Sequence, residues 1–237
     1  MQFLTIEIFK DTSEIILSDE ESFHLKKVLR VRVGDEIKLF DGKNQWKARV
    51  IGFNDGRAVL KPYEKIIAKE KKYRINLYIP FIEKKYFELV IKMGTELGVD
   101  KFIPFTSDYT QKHYEFDVGE KNLRMIEIIK SAVKQSERNS IPVVLCPLKF
   151  KDIFERDIII ANRTAINGKI YNATDIAAMN LNEFNILIGP EGGFSDDEVS
   201  FMVSHNCMTL MLSENILRAQ TAAIAAVAVI VGAMNTI

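Results

Sequence analysis

Residues that carry metal or redox chemistry are scarce in this chain of 237 residues. It has two cysteines, Cys146 and Cys207, and they share no metal-binding or redox spacing. That excludes a disulfide framework and predicts two reduced, buried thiols inside a cell. The three histidines, His24, His113 and His205, are scattered. His205 lies close to Cys207 in sequence but has no carboxylate or second cysteine at ligand spacing, so no metal is expected. Charge of one sign is also lacking: 32 Lys and Arg against 32 Asp and Glu leave a formal net charge of zero. A general nucleic-acid binder would be strongly basic, so any such contact must come from local patches. There is no long apolar run. The most apolar stretch, AAIAAVAVIVGAM at 222–234, falls short of the about 20 residues that span a bilayer. Residues 1–10 alternate polar and apolar and carry no secretory signal, so a cytoplasmic protein without membrane contact is expected.

What is present is apolar bulk. Hydrophobic residues make up 47% of the chain, enough for a sizeable core. The length suits one or two domains at about 150 residues each. Residues 1–70 read mostly as β structure. Phe3, Thr5 and Glu7 alternate with Leu4, Ile6 and Ile8. Ser18 with Glu21 forms a capping-box pattern opening a short helix to about Arg30. Strands follow at 35–40, 45–53 and 57–62, separated by turns at 41–44 and 54–56. Trp46 falls in one of them as a core or rim residue. Short strands at near-regular spacing suggest a small β-barrel.

The charged segment KIIAKEKKYR at 65–74 marks a domain boundary, and a second domain spans 75–237. Its strand-like runs, at 75–81, 102–105, 158–161, 185–189 and 208–212, are mostly apolar. Helical periodicity fills 86–97, with Phe87, Val90, Ile91, Gly94 and Leu97 on one face and Gly98 as a stop. It recurs at 122–137, with Leu123, Ile126, Ile129 and Val133 on one side. Buried strands alternating with helices predict an α/β fold, a parallel sheet with helices on both faces.

The segment NILIGPEGGFSDDE at 185–198 carries the most information. A strand enters Gly189-Pro190-Glu191-Gly192-Gly193, and Ser195 then caps a helix with Glu198 three residues on. Ligands bind at the carboxyl edge of parallel sheets, and glycines let backbone approach them closely. The alternative is a tight turn that only joins strand to helix. A second segment repeats the design: a strand at 208–212, a polar turn at 213–218 and a helix at 219–234. That helix has no charge and small residues on every side, which predicts close packing all round, against the sheet and either another helix or a second subunit.

Together these segments resemble the RsmE family, which belongs to the SPOUT class of trefoil-knotted methyltransferases. The resemblance rests on Ile-Gly-Pro-Glu-Gly-Gly-Phe-Ser at 188–195, Ile-Leu-Arg at 216–218 and Thr-Ala at 221–222. It extends through Glu96-Leu97-Gly98-Val99, Ile103-Pro104 and the stretch from Lys134 to Asn139 with Pro142. In the first domain, His24-Leu25, Lys27-Val28-Leu29-Arg30 and Gly34-Asp35 resemble a PUA-like barrel.

The resemblance implies a knotted second domain, a homodimer, S-adenosylmethionine as cofactor and 3-methyluridine in 16S ribosomal RNA of the small subunit as product. It implies a cofactor held by the turns leaving two neighbouring strands. The first turn would contribute Ile188, Gly189, Pro190, Glu191, Gly192 and Gly193. The second would contribute Met211, Leu212, Ser213, Ile216 and Leu217. Uridine N3 must lose its proton, which spreads charge onto the ring carbonyl oxygens, so a cation beside them stabilises the reacting base. Arg218 is the candidate, the alternative being a salt bridge or helix-start contact. Glu191 could orient the positive end of the cofactor or contact the base; its alternative is a hydrogen bond to backbone amides. Lys26, Lys27, Arg30 and Arg32 form one candidate phosphate-binding cluster, and Lys134 with Arg138 another; ordinary solvated faces are the alternative.

The chain departs from the family pattern in places. Ser213 stands for a glycine, Asn215 for an arginine and Gln220 for a glutamate, and Ser107-Asp108-Tyr109-Thr110 lacks an arginine. These departures keep two other readings open: a SPOUT methyltransferase for a different RNA position, and an RNA-binding homologue without catalysis.

Overall fold

Local patterning accounts for most of the elements in the computed structural model, which describes residues 2–4, 14–67, 71–110, 117–118, 122–154, 157–179 and 181–235. The chain divides into two compact units, Met1–Glu70 with Val133–Ile141, and Lys71–Ala132 with Pro142–Ile237.

In the first unit, strands β1 (Gln2–Leu4), β2 (Ile15–Ile16), β3 (Glu36–Phe40), β4 (Gln45–Asn54) and β5 (Arg57–Ile66) form one sheet in the order β1-β3-β4-β5-β2. The rest of the strand expected at 1–10 lies outside the described residues. β1 runs parallel to β3, and the other pairings are antiparallel. Alternation drives the burial: Ile37 and Leu39 turn inward while Glu36 and Lys38 stay exposed. They join Leu25, Trp46, Val50 and Leu60 in one core, which places Trp46 inside. Pro62 does not end β5, which runs on to Ile66. It faces Ala48 at a register shift, where a residue without an N–H is tolerated. Helix α1 (Asp19–Phe23) starts at Ser18, whose side chain accepts from Glu21 N. A wider helical turn continues it over His24–Val28, and Arg30, at φ 55°, turns the chain away.

In the second unit, β6 (Arg74–Pro80), β7 (Lys101–Thr106), β8 (Val143–Val144), β9 (Leu148–Lys149), β10 (Ile158–Ala161), β11 (Ile170–Tyr171), β12 (Glu183–Ile188) and β13 (Met208–Leu210) build an eight-stranded sheet. Its order is β11-β13-β10-β12-β6-β7-β8, with β9 also on β7, and every pairing is parallel. The helices are α2 (Lys84–Leu97), α3 (Leu123–Gln135), α4 (Ala173–Ala177), α5 (Asp196–Ser204) and α6 (Ala219–Met234). Successive strand residues point to opposite faces. Phe102 meets Gly94 of α2, while its neighbour Ile103 packs in a cluster with Met202 of α5. α6 packs on α2 and α4 and lies across β12, β6 and β10. The sheet is therefore covered on both faces.

Several expectations are corrected. On α3 the buried stripe is Met125, Ile129, Ala132 and Val133, whereas Leu123 is exposed. β13 stops at Leu210 instead of 212, because its partners β10 and β11 end opposite it. Cys146 is exposed, and only Cys207 is buried. α6 is not packed all round: Ala222, Ala223, Ala226 and Val227 are buried, but Ala228 and Val229 are exposed in the single chain. α4 was not anticipated, although Asn172 and Asp175 form a complete capping box at its start.

Candidate functional site

Three strands end level at one edge of the parallel sheet. Ala161 of β10 pairs with Ile188 of β12 on one side and Leu210 of β13 on the other. Contrary to the expectation from sequence, the strands that carry the two turns are not neighbours, because β10 lies between them. At about 4.8 Å per strand, the two turns start about 10 Å apart. The loop after β10 lies between those turns. There Asn162 N donates to Leu210 O at 3.2 Å, Ile166 N donates to Thr209 Oγ1 at 3.0 Å, and Arg163 is exposed. The middle loop and Arg163 escaped the sequence reading because nothing local marks β10 as central.

The turn after β12 is tight. Gly193 N donates to Pro190 O at 2.9 Å, and Gly193 takes φ 76°, which a side chain would resist. Ser195 then caps α5. Its Oγ accepts from Glu198 N at 3.2 Å, and Glu198 Oε2 accepts from Ser195 N at 3.0 Å. The buried Glu198 also accepts from Asp108 N at 3.0 Å through Oε1, and Ser195 Oγ donates to Asp108 Oδ2 at 2.6 Å. The loop after β7 is thereby fixed to the glycine turn, a link that sequence spacing could not reveal. Behind the turn, Phe194 packs on Phe150 with ring centroids 5.6 Å apart.

The turn after β13 is more open. Asn215 N donates to Ser213 Oγ at 3.0 Å. Met211 is exposed, Leu212, Ser213 and Leu217 are half-buried, and Ile216 is 84% exposed. Arg218 precedes α6 in extended backbone without a side-chain cap. Among the described residues its guanidinium makes no ion pair or hydrogen bond, and its backbone carbonyl accepts from Ala222 N at 2.9 Å where the helix begins. Glu191 likewise makes no ion pair or side-chain hydrogen bond among the described residues and is exposed. Gln220 Oε1 is shielded from solvent and accepts no hydrogen bond among those residues.

In the first unit, Lys26, Lys27, Arg30 and Arg32 are all exposed. Lys26 Nζ lies 5.1 Å from the Phe53 ring centroid, and Asp35 accepts from the Arg32 backbone at 2.8 Å. Lys134 and Arg138 belong to this unit as well. Lys134 forms an ion pair with Glu21, and Arg138 Nε donates to Ser140 Oγ at 3.0 Å.

A parallel sheet with a glycine turn and exposed polar groups at its carboxyl edge can bind a nucleotide-like molecule. The chain matches the RNA methyltransferase PUA domain over residues 17–63 and the RNA methyltransferase domain over residues 69–231. These matches define an RNA methyltransferase. Ribosomal RNA small subunit methyltransferase E of Rickettsia conorii is 28% identical over 218 residues, 90% of this chain and 87% of its own length. Its counterpart from Synechocystis sp. is 30% identical over 222 residues, 90% of this chain and 71% of its own. A crystal structure of the Neisseria gonorrhoeae counterpart, bound to S-adenosyl methionine, superposes with a TM-score of 0.76 at 27% identity, covering 96% of this chain and 94% of that one. The chain belongs to the ribosomal RNA small subunit methyltransferase E family.

Proposed function

We propose that this protein methylates N3 of a specific uridine in 16S ribosomal RNA of the small ribosomal subunit, with S-adenosylmethionine as methyl donor. One observation carries the reading: β12, β10 and β13 end level, and the glycine turn and the 211–218 turn rise on either side of β10. The residues fit an adenosyl ligand. Gly192 and Gly193 are exposed backbone without side chains, Met211 and Ile216 offer apolar contact, and Gln220 Oε1 is a buried acceptor with no donor among the described residues.

Bound there, the cofactor supplies an electrophilic methyl group. The remaining tasks fall to the protein. The two turns hold the reacting groups in line and exclude water, which supplies much of the acceleration. Arg218 stabilises the negative charge that appears on the uracil carbonyl oxygens as N3 loses its proton. Glu191 orients the positive end of the cofactor. N3 lies on the pairing edge, so the base is taken unpaired or flipped out. Lys26, Lys27, Arg30 and Arg32 hold RNA phosphates and set the register. Glu21 already neutralises Lys134, so phosphate contact rests chiefly on the first cluster.

The reading includes a homodimer, supported by the exposed Ala228 and Val229 on α6. It includes a knotted path, supported by a chain that places β13 beyond β10 and returns in α6 across β10, β12 and β6. A cytoplasmic location fits helices none of which, among the described residues, is long and apolar enough to cross a membrane. Mass spectrometry of ribosomal RNA from cells lacking the gene is the test. The reading expects loss of 3-methyluridine and its return with the wild-type gene; persistence at full level sinks it.

A further inference from the structure

We propose that Tyr109 is a stacking platform for an unpaired base of the RNA substrate, an inference that rests on the methyltransferase reading above. Tyr109 sits in the loop after β7, and the start of that loop, residues 107–110, is pinned at several points. Ser107 N donates to Thr110 Oγ1 at 2.8 Å, and Thr110 N donates to Ser107 O at 3.0 Å. Asp108 is tied to the start of α5 by its backbone N–H to Glu198 at 3.0 Å and by its carboxylate to the Ser195 hydroxyl at 2.6 Å. Tyr109 also leans on the bare face of the glycine turn: a Cβ built on Gly192 would stand 3.0 Å from Tyr109 Cβ and 3.7 Å from its Cγ.

An aromatic side chain held this firmly would ordinarily be buried, yet Tyr109 is 53% exposed. Strand order says what can reach it. β10 and β13 lie on one side of β12, whereas β6 and then β7 lie on the other. Tyr109 therefore flanks the glycine turn on the side away from the strands that frame the cofactor. A ligand that meets the ring on that side need not touch the loops after β10 and β13. Methylation at N3 requires single-stranded or extruded nucleotides, whose bases are unstacked and present a π-face of any sequence. A half-exposed phenol ring on an anchored stretch of backbone beside the glycine turn offers its face to such a base.

The test combines methylation kinetics on unmethylated small ribosomal subunits with calorimetry of S-adenosylmethionine, on wild type and Tyr109→Ala, Tyr109→Phe and Tyr109→Trp. Tyr109→Ala is expected to raise KM for the subunit about tenfold, in line with base–aromatic stacking. Cofactor Kd and melting temperature stay at wild-type values, and Phe and Trp restore KM. An unchanged KM in the alanine variant overturns the inference while leaving the methyltransferase reading intact. So does a parallel fall in cofactor affinity, which would assign the ring to the cofactor, or a phenylalanine variant as weak as alanine. Wild-type protein that methylates no RNA defeats the reading itself, and the inference with it.

Discussion

Arg218 and Glu191 carry charges that no described residue neutralises, beside the turns proposed to hold a cationic methyl donor and a uracil that becomes anionic as N3 loses its proton. Removing a preorganised charge partner of a developing oxyanion slows turnover by about 10²–10³. Arg218→Ala should therefore lower kcat by about that factor while cofactor Kd stays within about threefold. Single-turnover methylation and calorimetry check this, and an unaltered rate removes Arg218 from the mechanism. Cys207 supplies a second prediction. Burial pushes its thiol up to about 12. Between the unfolded thiol value near 8.5 and about 12, the unfolded chain binds fewer protons than the native one, so stability falls as pH rises through that window. Denaturant titrations above about pH 9 should show this decline, and Cys207→Ala should flatten it. At pH 8, native protein should take up iodoacetamide only at exposed Cys146, and denatured protein at both thiols.

Elements depend on a few close approaches. On α2, a Cβ built at Gly94 would stand 2.7 Å from the Phe102 ring, which is fully buried on β7. Gly94→Ala should thus strain the helix–sheet contact and lose about 1–3 kcal/mol, read from the denaturation midpoint, despite alanine's better helix propensity. An increase in stability would show that Phe102 moves freely. Ser195 caps α5 and also donates to Asp108. Ser195→Ala should lose about 1–2 kcal/mol and loosen the loop after β7, seen as faster amide exchange at Asp108. The cap itself was legible in sequence, since Ser195 and Glu198 have capping-box spacing. Its tie to Asp108 was not, because it joins residues distant along the chain.

At the scale of the molecule, the proposal makes α6 a dimer surface. Sedimentation velocity should give twice the chain mass, and Val229→Glu should release monomers by placing an unpaired charge in an apolar contact. A wild-type monomer would defeat the dimer. RNA binding through the Lys26, Lys27, Arg30 and Arg32 cluster should weaken steeply with salt, and Lys27→Ala with Arg30→Ala should reduce that slope by about two ion equivalents.

Periodicity, caps and turn residues act over a few positions, so the sequence by itself determined most strands, the end of α2, the extent of α6, the parallel α/β class and the two turns beside the proposed site. The same local signals group Leu123 with Ile126, Ile129 and Val133 on one side of α3, yet Leu123 is exposed at the helix start, because shared helical facing does not say how far along the helix the core extends. Only the tertiary structure decided that β10 separates β12 from β13, that residues 133–141 join the first unit, and that Tyr109 rests on Gly192. Each of these depends on which distant segments bury apolar surface together, and that choice is made by the packing of the whole chain.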